Sequence, residues 1–198
     1  ASARSASAKA YERYLRQYPA PLEPAIEARY RLVKLAEAEG NAARAFALQK
    51  EIFQADQAGG SARTGRTKTL GAMAALAMAE PVRASYAQVQ LVEPLQKQLK
   101  LKKTRLEETL KAYTVAADYG VAEVVTASTY QIGALYQDFG KALIGSQRPK
   151  KLSKIELEQY NVLLEEQAFP FEEKAIELHD SDTGGHIQRI SAVAARLA

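Results

Sequence analysis

Few residues in this 198-residue chain could do chemistry by type and spacing. Its two histidines, His179 and His186, stand near Asp180 and Asp182, and a metal would need them together as ligands. Gly184-Gly185 interrupts that run, and no i, i+4 pair fixes ligand geometry as a helix would. Carboxylates are doubled at Glu107-Glu108, Glu165-Glu166 and Glu172-Glu173. General acid–base catalysis needs a carboxylate held in a cleft with a shifted pKa, whereas these sit in polar helical stretches that read as solvated faces. The chain has no cysteine, so thiolate ligands and cysteine nucleophiles are excluded. The expectation is a protein that is not an enzyme, with no catalytic residue, metal or cofactor.

Three other stretches could bind rather than react. YQIGALYQDFG, from Tyr130, places Gly133 and Gly140 in an aromatic-rich run. A phosphate loop would need a preceding strand and a glycine-rich turn opening a helix, so packing is the better reading. KQLKLKKTR, from Lys97 to Arg105, is the strongest basic cluster. Glu93–Lys97, Lys103–Glu107 and Glu107–Lys111 are spaced four apart and can neutralise it along a helix. The net charge of +4 gives a nucleic-acid or anionic-membrane patch little backing, and no nucleic acid is expected as a partner. GGSARTGRT, from Gly59, reads as a flexible linker over 58–66.

The elements that would position these residues are helices. Apolar residues make up 47% of the chain, much of it alanine, with leucine, glutamate, lysine, glutamine and arginine filling most of the rest. Such side chains lose little rotamer freedom in a helix. Apolar three- and four-residue spacing marks helices over about 3–18, 25–39 and 42–55. A fourth runs from 67 to 79, and Pro81 begins a short fifth. A long one spans about 93–119, missing its apolar pattern only at Lys102. Another begins at Val121 and carries YQIGALYQDFG. Ser153 with Glu156 reads as a capping box, and Pro170 either kinks the helix that follows or starts a new one. No run approaches the roughly 18–20 apolar residues needed to span a bilayer.

Helix pairs joined by Gly or Pro turns raise the question of a repeat. Ile132-Gly133, Tyr136 and Gly140 match the large–small pair, aromatic and turn glycine of a tetratricopeptide first helix. Tyr11 and Pro19 fit the end of a second helix. Leu32, Val33, Gly40 and Ala45 fit a full unit, Tyr113 and Ala116 another second helix, and Ala168 with Ala175 a last one. The chain therefore resembles tetratricopeptide-repeat proteins, in particular the large multi-repeat proteins of bacterial cell envelopes and gliding-motility-associated systems. An insertion over 141–153 departs from the regular repeat.

The resemblance implies an all-α, right-handed solenoid of stacked helical hairpins, one domain over 1–198, as part of a longer chain. It implies a non-catalytic scaffold or adaptor, in a periplasmic or envelope-associated setting. The partner would be a protein or peptide, with self-association also open. A structural spacer or cap of a longer array, and a basic module for nucleic acid or membrane, are the alternatives. Carried onto these positions, the concave groove would be lined by Tyr30, Lys34 and Glu37, and by Tyr130, Ala134 and Gln137.

Overall fold

The computed structural model describes residues 3–180. Among them the chain forms seven α-helices and no strand: α1 Ala3–Gln17, α2 Leu22–Ala38, α3 Ala42–Ala58, α4 Gly65–Ala87, α5 Leu95–Ala117, α6 Ala122–Ile144 and α7 Lys154–Asp180. The class is all-α, as the composition indicates. The described residues divide into two compact units. One comprises residues up to Met78 with Tyr119–Val124, and the other Ala79–Asp118 with the residues from Val125 on.

In the first unit, prolines and caps set the helix ends. Pro19 and Pro21 separate α1 from α2, while Pro24 is taken into the first turn of α2, where its missing N–H has no helical acceptor to lose. Gly40 turns the chain at φ +69°, a left-handed conformation open to glycine. Asn41 then caps α3, its side chain accepting the Arg44 N–H at 3.0 Å. Arg4 donates to the Ala38 carbonyl at 3.5 Å, so the start of α1 lies by the end of α2. Arg29 pairs with Glu51 at 3.1 Å, near the middle of both α2 and α3. α1, α2 and α3 are thus successively antiparallel. At the next turn Thr64 donates to Glu23 and Arg66 to Glu27, which sets the start of α4 beside the start of α2. Ile26, Leu32, Val33, Ile52 and Leu70 form the buried core, with small residues such as Ala36, Ala45 and Ala74 between them. Those alanines let the helix backbones approach closely.

The second unit packs the end of α4 against α5 and α6 against α7. Tyr113 of α5 donates to Glu80 of α4 at 2.7 Å. Phe171 of α7 meets Phe139 of α6 with ring centroids 4.6 Å apart. Ala168 and Ala175 of α7 are buried at that contact side. The capping box is formed: Ser153 N–H donates to Glu156 at 2.7 Å, and Glu156 N–H to the Ser153 hydroxyl at 3.3 Å.

Several boundaries differ from the sequence reading. Pro81 starts no new helix; it lies inside a single α4. At Pro170, where a kink or a new helix was expected, the structure has one continuous α7 and no new helix. Gly140 is not a turn glycine. It sits inside α6, where an added Cβ would meet Glu172 Cγ at 3.4 Å and the Ala168 carbonyl at 3.6 Å. The insertion shortens accordingly, because Lys141–Ile144 continue α6 and the connection to α7 occupies 145–153. The physical reason is that small residues on α6 and α7 let these helices pack side by side past Gly140. The packing carries the helix one turn beyond the local breaker. The 58–66 stretch holds a 3-10 turn at Gly60–Ala62 and is tied down by a 2.7 Å ion pair between Arg63 and Asp56.

Candidate protein-interaction groove

Tyr30, Lys34 and Glu37 lie four and three residues apart on α2, which brings them onto one helical face. The structure brings all three to the rim of a single cavity of about 140 Å³. Its floor is apolar: Val33 of α2, Ile52 of α3, and Leu70 and Ala74 of α4 are all buried there. Met73 of α4, exposed at 41%, stands at the opposite rim. The parallel run of α2 and α4, with α3 beneath, makes this a groove between helices rather than a closed chamber.

The rim carries paired charge. Lys34 donates to Glu37 at 2.9 Å and lies 5.4 Å from the centre of the Tyr30 ring. The hydrogen bond to Glu37 holds the Lys34 ammonium above its usual pKa, against a smaller opposing effect of burial. Arg66 stacks over the same ring at 5.6 Å while bridging to both carboxylate oxygens of Glu27 at 3.0 and 3.2 Å. Two cations therefore lie within cation–π reach of the Tyr30 ring. The Lys34 and Glu37 side chains remain 51% and 42% exposed, so their pairing contributes on the order of 0–1 kcal/mol. Either charge can be re-paired by an incoming group at small cost.

The second expected set behaves differently. Tyr130, Ala134 and Gln137 share a face of α6, with Tyr130 61% exposed, Ala134 half-buried and Gln137 exposed. They belong to the second unit, whereas Tyr30, Lys34 and Glu37 belong to the first.

Met73 and Gln49, which line the groove, and Arg66, which lies over the Tyr30 ring, were not among the expected residues. Arg66 was visible only as a cation in a glycine-rich stretch, and its role depends on α4 starting beside α2. Met73 had a helical apolar spacing that sequence alone assigns to a core.

The basic cluster on α5 is broken by burial. Lys97, Lys100 and Lys103 are exposed, but Lys102 is only 6% exposed. Its ammonium donates to the Val89 carbonyl at 2.9 Å and the Tyr86 carbonyl at 3.4 Å, and sits 4.1 Å from the centre of the Tyr86 ring. Lys102 thus closes the C-terminal end of α4, where free carbonyls attract a cation, and it is unavailable to an external anion. The one miss in the apolar spacing of α5 was the signal. Arg105 pairs with Glu108 at 2.7 Å. Glu93 precedes Pro94, ahead of α5, so the expected Glu93–Lys97 pair has no helical spacing to rest on.

Among the described residues, no three His, Asp or Glu side chains converge as a metal would require. His186 and Asp182 lie outside the described residues, as do the side chains of His179 and Asp180. No helix among the described residues is long and apolar enough to cross a membrane. Compared with protein-family models, with curated proteins and with solved structures, the chain finds no match.

Proposed function

We propose that this chain is a non-catalytic interaction module whose α2–α3–α4 groove anchors a side chain of a protein or peptide partner. The observation that carries the reading is the groove itself: an apolar floor under a rim of Tyr30, Lys34, Glu37 and Met73. At about 140 Å³ it falls well below the roughly 300–1,000 Å³ usual for small-molecule sites, and suits one anchoring side chain. Tyrosine and methionine at the rim bury large area at low entropy cost and adapt to shape. An exchangeable Lys34–Glu37 pair offers both signs of charge to a peptide backbone or its side chains.

The antiparallel α1–α2–α3 succession, with α4 beside α2, is the order in which stacked helical hairpins place first helices along one surface. On this reading the first unit is a tetratricopeptide-like stack of hairpins, and an adaptor role in an envelope-associated assembly rests on the sequence resemblance alone. The long helices of the second unit fit a 34-residue hairpin less well, since α6 alone takes 23 residues.

A selection of short peptides from a random library against the immobilised chain tests the reading. Enriched peptides should lose affinity by about tenfold or more on Met73→Asp and on Lys34→Glu. Peptides that bind both variants as they bind the parent would sink it.

A further inference from the structure

α7 buries one face and leaves a second, patterned face in solvent. Leu164, Ala168, Ala175 and Leu178 are buried, whereas Ile155, Val162, Phe169 and Ile176 are 69%, 54%, 56% and 60% exposed. The exposed four recur at intervals of seven, so they form a continuous apolar stripe on the side of α7 opposite its packed face. Glu158, Glu165, Glu166 and Glu173 are exposed on the same side, which makes the stripe strongly acidic. A run of four large apolar residues at this exposure marks a surface that something covers.

The chain's own sequence supplies a complementary segment a few residues beyond α7. After Gly184-Gly185, which permits a reversal of direction, residues 186–198 read HIQRISAVAARLA. Ile187, Ile190, Ala194 and Leu197 follow the three- and four-residue spacing of an apolar face. Beyond Asp182 the segment carries no acidic residue, and its charges are Arg189 and Arg196, opposite in sign to the stripe. Ile190 and Leu197 are seven apart, as are Phe169 and Ile176. A reversal centred at about residue 183, next to the two glycines, sets Ile176 against Ile190 and Phe169 against Leu197.

We propose that the exposed stripe of α7 is the docking surface of segment 186–198 of the same chain, laid antiparallel in that register. A second copy's α7 is the poorer occupant, since two acidic stripes would face each other. The docked segment would cover the distal half of the stripe, over Phe169 and Ile176, and leave Ile155 in solvent.

The absence of native cysteine makes the test clean. In the full chain, the pairs Ile176→Cys with Ile190→Cys and Phe169→Cys with Leu197→Cys should form intramolecular disulfides under mild oxidation. The mismatched pair Ile176→Cys with Leu197→Cys should form its bond about tenfold more slowly, because close approach is set by register. A loose segment would join all three pairs at similar rates, and that result overturns the proposal. Disulfide-linked dimers from the matched pairs would overturn it in favour of a second copy. A second measurement guards against loss of docking through the cysteines on α7. Alkylation of a lone Ile190→Cys should speed up about tenfold when Phe169 and Ile176 are both changed to Ser. An unchanged alkylation rate also overturns it.

Discussion

Among the described residues each unit encloses one charged side chain, and the two are held in opposite ways. In the first, Asp56 is fully buried and pairs with Arg63 at 2.7 Å. Arg63 lies 5.4 Å from the centre of the Tyr119 ring, and Tyr119 accepts from Gln57 at 2.8 Å. In the second, Lys102 is buried against two backbone carbonyls and the face of Tyr86. Asp56 depends on a particular partner, while Lys102 answers to partial charges at a helix end. The first arrangement is intolerant of change on either side, and the second accepts any side chain that fills the space.

The largest effect follows at Asp56. Asp56→Ala leaves the Arg63 guanidinium without its carboxylate, and breaking a fully buried pair costs about 3–5 kcal/mol. Arg63 keeps 27% side-chain exposure and can draw some water, so a loss near about 3 kcal/mol is expected from the urea midpoint. An unchanged midpoint would remove the distinction between the two sites. At Lys102, truncation to alanine opens a cavity and removes the side-chain donor to the Val89 carbonyl, while the Tyr86 carbonyl keeps the Val89 N–H at 3.2 Å, a loss of about 2 kcal/mol that comes mainly from the cavity. Lys102→Met fills the same space without the charge and should stay within about 1 kcal/mol of the parent. If methionine proves as damaging as alanine, the charge itself is what the site requires.

Titration sharpens the same contrast. Burial holds the Lys102 ammonium below its usual pKa, partly opposed by the Asp138 charge. Between that lowered value and the unfolded value near 10.5 the unfolded chain binds more protons, so this group makes stability rise with pH. Burial moves the tyrosines the other way. Tyr136, enclosed in the second unit, is pushed up to about 12, and so is Tyr119 in the first. Their stabilising share is complete below about pH 10 and is lost as pH climbs through about 12, with a slope of up to about 1.4 kcal/mol per pH unit for each. Thermal melts should fall steeply above pH 10, less steeply in Tyr136→Phe, and Lys102→Met should remove the opposing rise. A Tyr136→Phe profile that overlays the parent would contradict the enclosure of that hydroxyl.

Helix content, the Ser153 capping box and the face shared by Tyr30, Lys34 and Glu37 were legible in the sequence, because each rests on neighbours within one helical turn or two. Continuity through Pro81 was not. A proline there withholds an N–H from the carbonyl of residue 77 and reads as a break. Packing of both halves of α4 overrides that local signal, and packing is not written in any short window. The burial of Lys102 and the service of Arg66 to Tyr30 depend likewise on contacts across 16 and about 36 positions of chain. Tyr130, Ala134 and Gln137 follow from the same family resemblance as the α2 set, yet the cavity at Tyr30 depends on Ile52 and Leu70 from two other helices.

Two glycines give the finest comparison between the units. Glycine within a helix costs roughly 0.5–1 kcal/mol relative to alanine, so alanine should stabilise wherever a methyl fits. At Gly71 it does not fit. A Cβ there would lie 2.8 Å from the Tyr119 hydroxyl and 2.9 Å from the Asp56 carboxylate, and the cluster holding those groups leaves them little room to shift. Gly71→Ala should therefore lower stability by about 1 kcal/mol, overpacking outweighing the helix preference. At Gly140 the nearest atom is Glu172 Cγ at 3.4 Å, part of a flexible and exposed side chain. Gly140→Ala should raise stability by about 0.5 kcal/mol, a difference that paired urea melts resolve. Were Gly140→Ala to destabilise instead, α6 and α7 would be packed as tightly as the Asp56 cluster, and the tolerance assigned to the second unit would be confined to Lys102.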